Sequence, residues 1–215
     1  DLLDPAATVE RIDAIALSGG SAFGLDAGAG VMAWLAEQGR GFSVGPARVP
    51  IVPGAILFDL LSGGDKNWGR FPPYRDLGYA AAQAAAKDFA LGSEGAATGA
   101  STQNLKGGIG SASAEVSGFT VGAIDAANAA GRVTMGDTKH FWAAAFERGK
   151  EFGGHGFPQA QADFATVSLK GDARQNTTLA VVATDAALTK AQAKRVAVMA
   201  SAGLAMAIHP VFTPL

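Results

Sequence analysis

The sequence predicts a single α/β domain, and three observations carry that expectation. An apolar run, Asp13 to Leu17, enters the turn Ser18-Gly19-Gly20-Ser21, after which Leu25, Val31, Met32 and Leu35 recur at helical spacing. A second run, Thr178 to Thr184, is continuously apolar apart from its threonines and precedes Thr189, an N-cap for a helix to about Ile208. With 215 residues, 48% hydrophobic and 17% charged, the chain can bury a core of ordinary size.

Taken in order, the first unit reads as strand, glycine turn and helix, closed by Gly39-Arg40-Gly41. Val49 to Leu61 holds two prolines and the apolar run Ala55 to Phe58, which suits a second strand or a hairpin. Residues 62–76, with glycines, prolines and the aromatics Trp68, Phe71 and Tyr74, read as a surface loop before a helix from Leu77 to Lys87. Gly92 to Ser113 is mostly Gly, Ala, Ser and Thr around the single cation Lys106, a composition suited to a loop packing its backbone on a ligand. Phe119 to Asn128 and Ala165 to Leu169 are strand candidates, and the charged, glycine-rich stretch 136–163 is the expected mobile region.

Composition excludes several classes of function. Seventeen Lys and Arg against nineteen Asp and Glu give a net charge of −2, and no basic run is present to neutralise a row of phosphates. No nucleic-acid partner is expected. The apolar stretches are shorter than the ~20 residues that cross a bilayer, so no membrane partner is expected and the location is read as cytoplasmic. The chain starts at Asp1 without Met and stops at Leu215, so both ends are expected to be cut. There is no cysteine, which removes thiolate metal sites and a cysteine nucleophile. His140, His155 and His209 lack the spacing of a helical metal site, so neither metal nor cofactor is expected.

Two glycine segments invite a nucleotide reading. Gly19 to Gly24 opens a helix but lacks the Gly-Lys-Ser/Thr end of a phosphate loop. Gly108-Ile109-Gly110-Ser111-Ala112-Ser113 is similar to the phosphate loop of small-molecule kinases related to galactokinase, and a kinase is the alternative function. Asn176-Thr177-Thr178 stands where a polar stretch meets the most hydrophobic strand, a place where a peptide bond can be held for attack by the next side chain. The ordinary reading is that Asn ends a loop and threonine begins a strand.

Four blocks, Ala14 to Asp26, Arg48 to Pro53, Leu105 to Ser113 and Asn176 to Leu179, occur in the order seen in one family. The chain resembles the L-aminopeptidase/D-esterase family, which includes β-peptidyl aminopeptidases and nylon-oligomer hydrolase, over nearly its whole length. The resemblance implies a four-layer αββα sandwich akin to the N-terminal nucleophile hydrolases. It also implies self-cleavage between Asn176 and Thr177, dividing the chain into an α part, 1–176, and the start of a β part from 177. Thr177 would then be the nucleophile, Asn128 the amide that steadies the oxyanion, and Lys106 the lysine near the nucleophile. Phe58 stands where some members carry tyrosine, which makes a catalytically inactive relative a second alternative function, and Phe58, Gly108 and Ser111 are the expected substrate-pocket residues. Acidic or Ser/Glu residues of the family would fall just beyond Leu215. The implied partners are a small peptide or amide substrate and further copies of the chain, since the family often forms tetramers.

The chemistry suits these residue types. A threonine hydroxyl is a weak nucleophile, but an α-amino group with an ordinary pKa of ~7.7–8 can act as base on the same residue. An amide N–H can receive the oxyanion, and a nearby cation favours the neutral amine.

Overall fold

The computed structural model describes residues 2–159, 167, 169–170 and 176–213, and shows a mixed α/β fold. The first unit forms as its pattern predicts. Strand β1, Ala16–Ser18, passes through a 3-10 turn, Ser21–Asp26, into helix α1, Ala27–Glu37. Gly20 sits at φ 85°, and an added Cβ there would fall 1.9 Å from the Tyr74 ring, so only glycine fits the turn. A short hairpin follows, β2 Phe42–Val44 with β3 Ala47–Val49, which the sequence did not announce. Strand β4, Gly54–Ile56, then runs parallel to β1 with Ala16 opposite Gly54.

Helix α2, Tyr74–Gln83, begins earlier and ends earlier than the expected Leu77 to Lys87. It crosses α1 at backbone contact. A Cβ on Gly30 would stand 1.9 Å from the Arg75 carbonyl oxygen, and one on Gly78 would stand 2.1 Å from that of Ala27. Two glycines, one on each helix, therefore set how closely these helices approach.

The main sheet has the order β5-β6-β7 and is antiparallel throughout. Its strands are β5 Ile109–Val116, β6 Phe119–Ala126 and β7 Leu179–Thr184. The last two agree with expectation. The first corrects it, because the Gly/Ala/Ser stretch read as loop continues into a strand paired residue by residue with β6, from Ile109 opposite Ala126 to Val116 opposite Phe119. Helix α3, Lys190–Ala207, is capped as foreseen: the Thr189 hydroxyl accepts from the Gln192 N–H, and the Gln192 side chain accepts from the Thr189 N–H.

Of the stretch 136–163, residues through 159 are described and include a 3-10 turn, Trp142–Phe146. The strand candidate Ala165 to Leu169 lies largely outside the described residues. A small core of Leu57, Ala97, Ala100 and Ala126 forms where three segments meet, with Ile109 and Leu179 packed against it. Those same segments carry the candidate site.

Candidate active site

The site is assembled one or two residues away from that core. Leu57 leads to Phe58 and Asp59, Ala100 to Ser101, Ala126 to Asn128, and Thr177 stands just before Leu179. Packing of four apolar side chains thus fixes the approach of four polar ones.

Asn128 is at the centre and fully buried. Its backbone carbonyl accepts the Thr177 N–H at 2.8 Å. Its side-chain Oδ1 accepts from the Ser101 N–H at 3.1 Å and from Lys170 Nζ at 2.9 Å, while Nδ2 donates to the Phe58 carbonyl at 3.2 Å. The Thr177 hydroxyl donates to the Asn176 carbonyl oxygen at 2.5 Å, which sets Oγ1 beside the Asn176–Thr177 peptide group.

Lys106 meets different partners from those its sequence reading supplied. Its ammonium donates to the carbonyls of Thr98 at 2.7 Å, Ala100 at 2.8 Å and Ala97 at 3.4 Å, so its hydrogen-bonding capacity is spent on one loop. It still belongs to the neighbourhood. Burial lowers the pKa of Lys170, the Lys106 charge lowers it further, and Asp59 opposes both.

Lys170 and Asp59 are the residues that sequence reasoning missed. Asp59 is buried and accepts the Gly20 N–H at 2.6 Å, and an added Cβ on Gly99 would fall 2.5 Å from its Oδ2. The carboxylate therefore occupies the glycine turn that resembled a nucleotide loop. A phosphate brought there would meet a like charge. Burial and the Asp59 charge together raise the pKa of Tyr74 across the same turn.

Beside Asp59 lies an open cavity of about 550 Å³, lined by Ser18, Gly20, Asp59, Lys66, Tyr74 and Thr98 among others. None of the three expected pocket residues lines it. Phe58 contributes its carbonyl to Asn128, Gly108 O accepts the Ala127 N–H at 3.0 Å, and Ser111 is an exposed residue of β5 opposite Ile124. The kinase reading of Gly108 to Ser113 also loses its structural context. That segment leads through a strand into a hairpin, with no helix N-terminus to receive phosphate.

Among the described residues no group of three or more His, Asp or Glu is placed to hold a metal ion. The His140 and His155 rings lie 6.3 Å apart, and His140 Nδ1 is 2.9 Å from the Gly156 carbonyl. His209 follows the end of α3 and packs against Trp142 at 5.1 Å.

A hydroxyl at the head of a core strand, on a residue whose N–H is bonded to the main chain of a buried asparagine, is a group of the kind that acyl transfer uses as nucleophile. The chain belongs to peptidase family S58, the L-aminopeptidase/D-esterase family, whose profile matches residues 1–214. It is 46% identical over 220 residues to uncharacterized aminopeptidases of Mycobacterium tuberculosis and Mycobacterium bovis, and 44% identical over 225 residues to one of Mycobacterium leprae. The whole chain is covered in each alignment, and it spans 62%, 62% and 60% of those relatives. A crystal structure of the PH0078 protein from Pyrococcus horikoshii OT3 superposes with a TM-score of 0.52 at 26% identity, covering 85% of this chain and 45% of that one. No helix among the described residues is long and apolar enough to cross a membrane.

Proposed function

We propose that this chain is the core of a self-processing amide hydrolase of aminopeptidase type, in which Thr177 becomes an N-terminal nucleophile. The observation that carries the reading is the double anchorage of Thr177: its N–H on the Asn128 carbonyl at 2.8 Å and its hydroxyl on the Asn176 carbonyl at 2.5 Å. In the uncut chain, Oγ1 attacks the Asn176 carbonyl carbon, the peptide bond becomes an ester, and water opens it. The piece 1–176 is released from its covalent link to the piece that starts at 177, and β6–β7 pairing keeps the two together.

The new α-amine inherits the place of the Thr177 N–H, so the Asn128 carbonyl orients it with respect to Oγ1. It takes the hydroxyl proton as Oγ1 attacks a substrate amide. The Asn128 Nδ2 has one hydrogen on Phe58 and a second to offer the oxyanion. Lys106 acts through its charge from the adjoining loop, which favours the neutral form of the amine. The sheet β5-β6-β7 with α3 would form two of the four layers of an αββα sandwich, and apolar side chains exposed on α3, Val198 and Met199, favour association with further chain.

The test is hydrolysis of N-terminal aminoacyl amides by the wild type and by Thr177→Ala. The wild type should turn over without added metal and be unaffected by chelator, and the variant should be inactive. Full activity in Thr177→Ala would place the nucleophile elsewhere.

A further inference from the structure

We propose that Lys170 is a positioning residue that fixes and polarises the Asn128 carboxamide, with Asn128 Oδ1 as the atom it acts on. This rests on the reading of Asn128 as oxyanion donor given above.

A carboxamide has a donor end and an acceptor end of nearly equal shape, so its neighbours decide which way it points. Around Asn128 the decision is made by two donors on one side. The Ser101 N–H at 3.1 Å is a fixed main-chain donor, and the Lys170 ammonium at 2.9 Å is a charged one. A flipped amide would set its NH₂ against both. With oxygen held there, Nδ2 must face the Phe58 carbonyl, and its second hydrogen is directed away from that contact.

The Ser101 N–H and the Phe58 carbonyl already favour this orientation, and Lys170 strengthens it. The ammonium makes a charge-assisted bond, stronger than a neutral one, in a site where Asn128 is fully buried. Positive charge on the oxygen also draws electron density from the amide nitrogen and strengthens its N–H as a donor. Lys170 is itself anchored: its N–H donates to the Ala130 carbonyl at 2.8 Å, and its ammonium has a second acceptor in the Ser101 carbonyl at 3.2 Å. Burial lowers its pKa, as expected of an ammonium withdrawn from water towards two neutral acceptors.

The test compares Lys170→Met, Lys170→Arg and Thr177→Ala on one aminoacyl amide substrate, with kcat and KM measured separately. Loss of one oxyanion donor typically lowers turnover ~10²–10³-fold, so weakening one should lower it by roughly ten- to a hundredfold. Lys170→Met should show that fall in kcat with KM nearly unchanged, because the donor acts in the transition state. Lys170→Arg should recover most of it, since the charge and a donor remain. A Met variant that fails to mature while the Arg variant matures is the same result, read on the processing step. Full kcat in Lys170→Met, a loss carried by KM, or no recovery in Lys170→Arg would overturn the assignment while Thr177→Ala remains inactive. Activity in Thr177→Ala would remove the nucleophile reading and this proposal with it.

Discussion

Asp125 offers a quantitative test of the packing between the main sheet and α3. It lies on β6 opposite Ala180 and faces a cavity of about 540 Å³ between strands and helix, in whose lining it is the one ionisable group among the described residues. Its Oδ1 and the hydroxyl oxygen of Thr178 are buried without a hydrogen-bond partner. Burial accordingly pushes the carboxyl from 3.8 up to about 6. The folded state thus holds a proton that the unfolded state gives up between those values. Stability from this group is complete below pH 3.8 and is lost as pH rises through about 6. At ~1.4 kcal/mol for each pH unit, the charged carboxylate costs the fold on the order of 3 kcal/mol at neutral pH. Asp125→Asn removes the charge and nearly keeps the shape. Urea unfolding of both proteins from pH 4 to 8 should show stabilities that nearly coincide at pH 4, separate as pH rises to about 6 and stay apart above it, with the variant more stable by up to about 3 kcal/mol. The difference between the two proteins isolates Asp125 from other titrating groups. A stability difference that stays constant over this range would refute the burial argument.

Two further substitutions test the frame that carries the site. Leu57 is fully buried in the small core next to Phe58 and Asp59, so Leu57→Ala should destabilise the fold by about 2–5 kcal/mol in a denaturant melt. Gly78→Ala drives a methyl into the Ala27 carbonyl at the α1–α2 crossing, and overpacking of this kind should cost ~1–3 kcal/mol although alanine is the better helix former.

Much of the framework was legible in the sequence because its signals are local. The apolar run before Thr189 and the N-cap at Thr189 defined β7 and α3 within a residue, and the glycine turn after β1 announced α1. The hairpin β2–β3 was missed because its three-residue strands are exposed on both faces and show no alternation. Strand β5 is illegible for a related reason: Gly110, Ser111, Ala112 and Ser113 have low strand preference, and pairing with β6 imposes the extended form.

The site divided along the same line. The resemblance brought Thr177, Asn128 and Lys106 forward, and the structure joins Thr177 to Asn128 through the main chain while setting Lys106 on the carbonyls of its own loop. Asp59 and Lys170 carry no motif. Their importance comes from hydrogen bonds spanning 39 and 42 residues, to Gly20 and Asn128, which no periodicity records. The glycines at 19 and 20 were likewise ambiguous until a carboxylate was found against them.

The central claim concerns one peptide bond, and denaturing mass spectrometry of the purified protein reads it directly. The wild type should resolve into two pieces, the second beginning at Thr177, and Thr177→Ser should do the same because it keeps a hydroxyl. Thr177→Ala should remain one chain. A wild-type protein that stays whole while hydrolysing amides, or a Thr177→Ala variant that is cut at the same bond, would contradict the account.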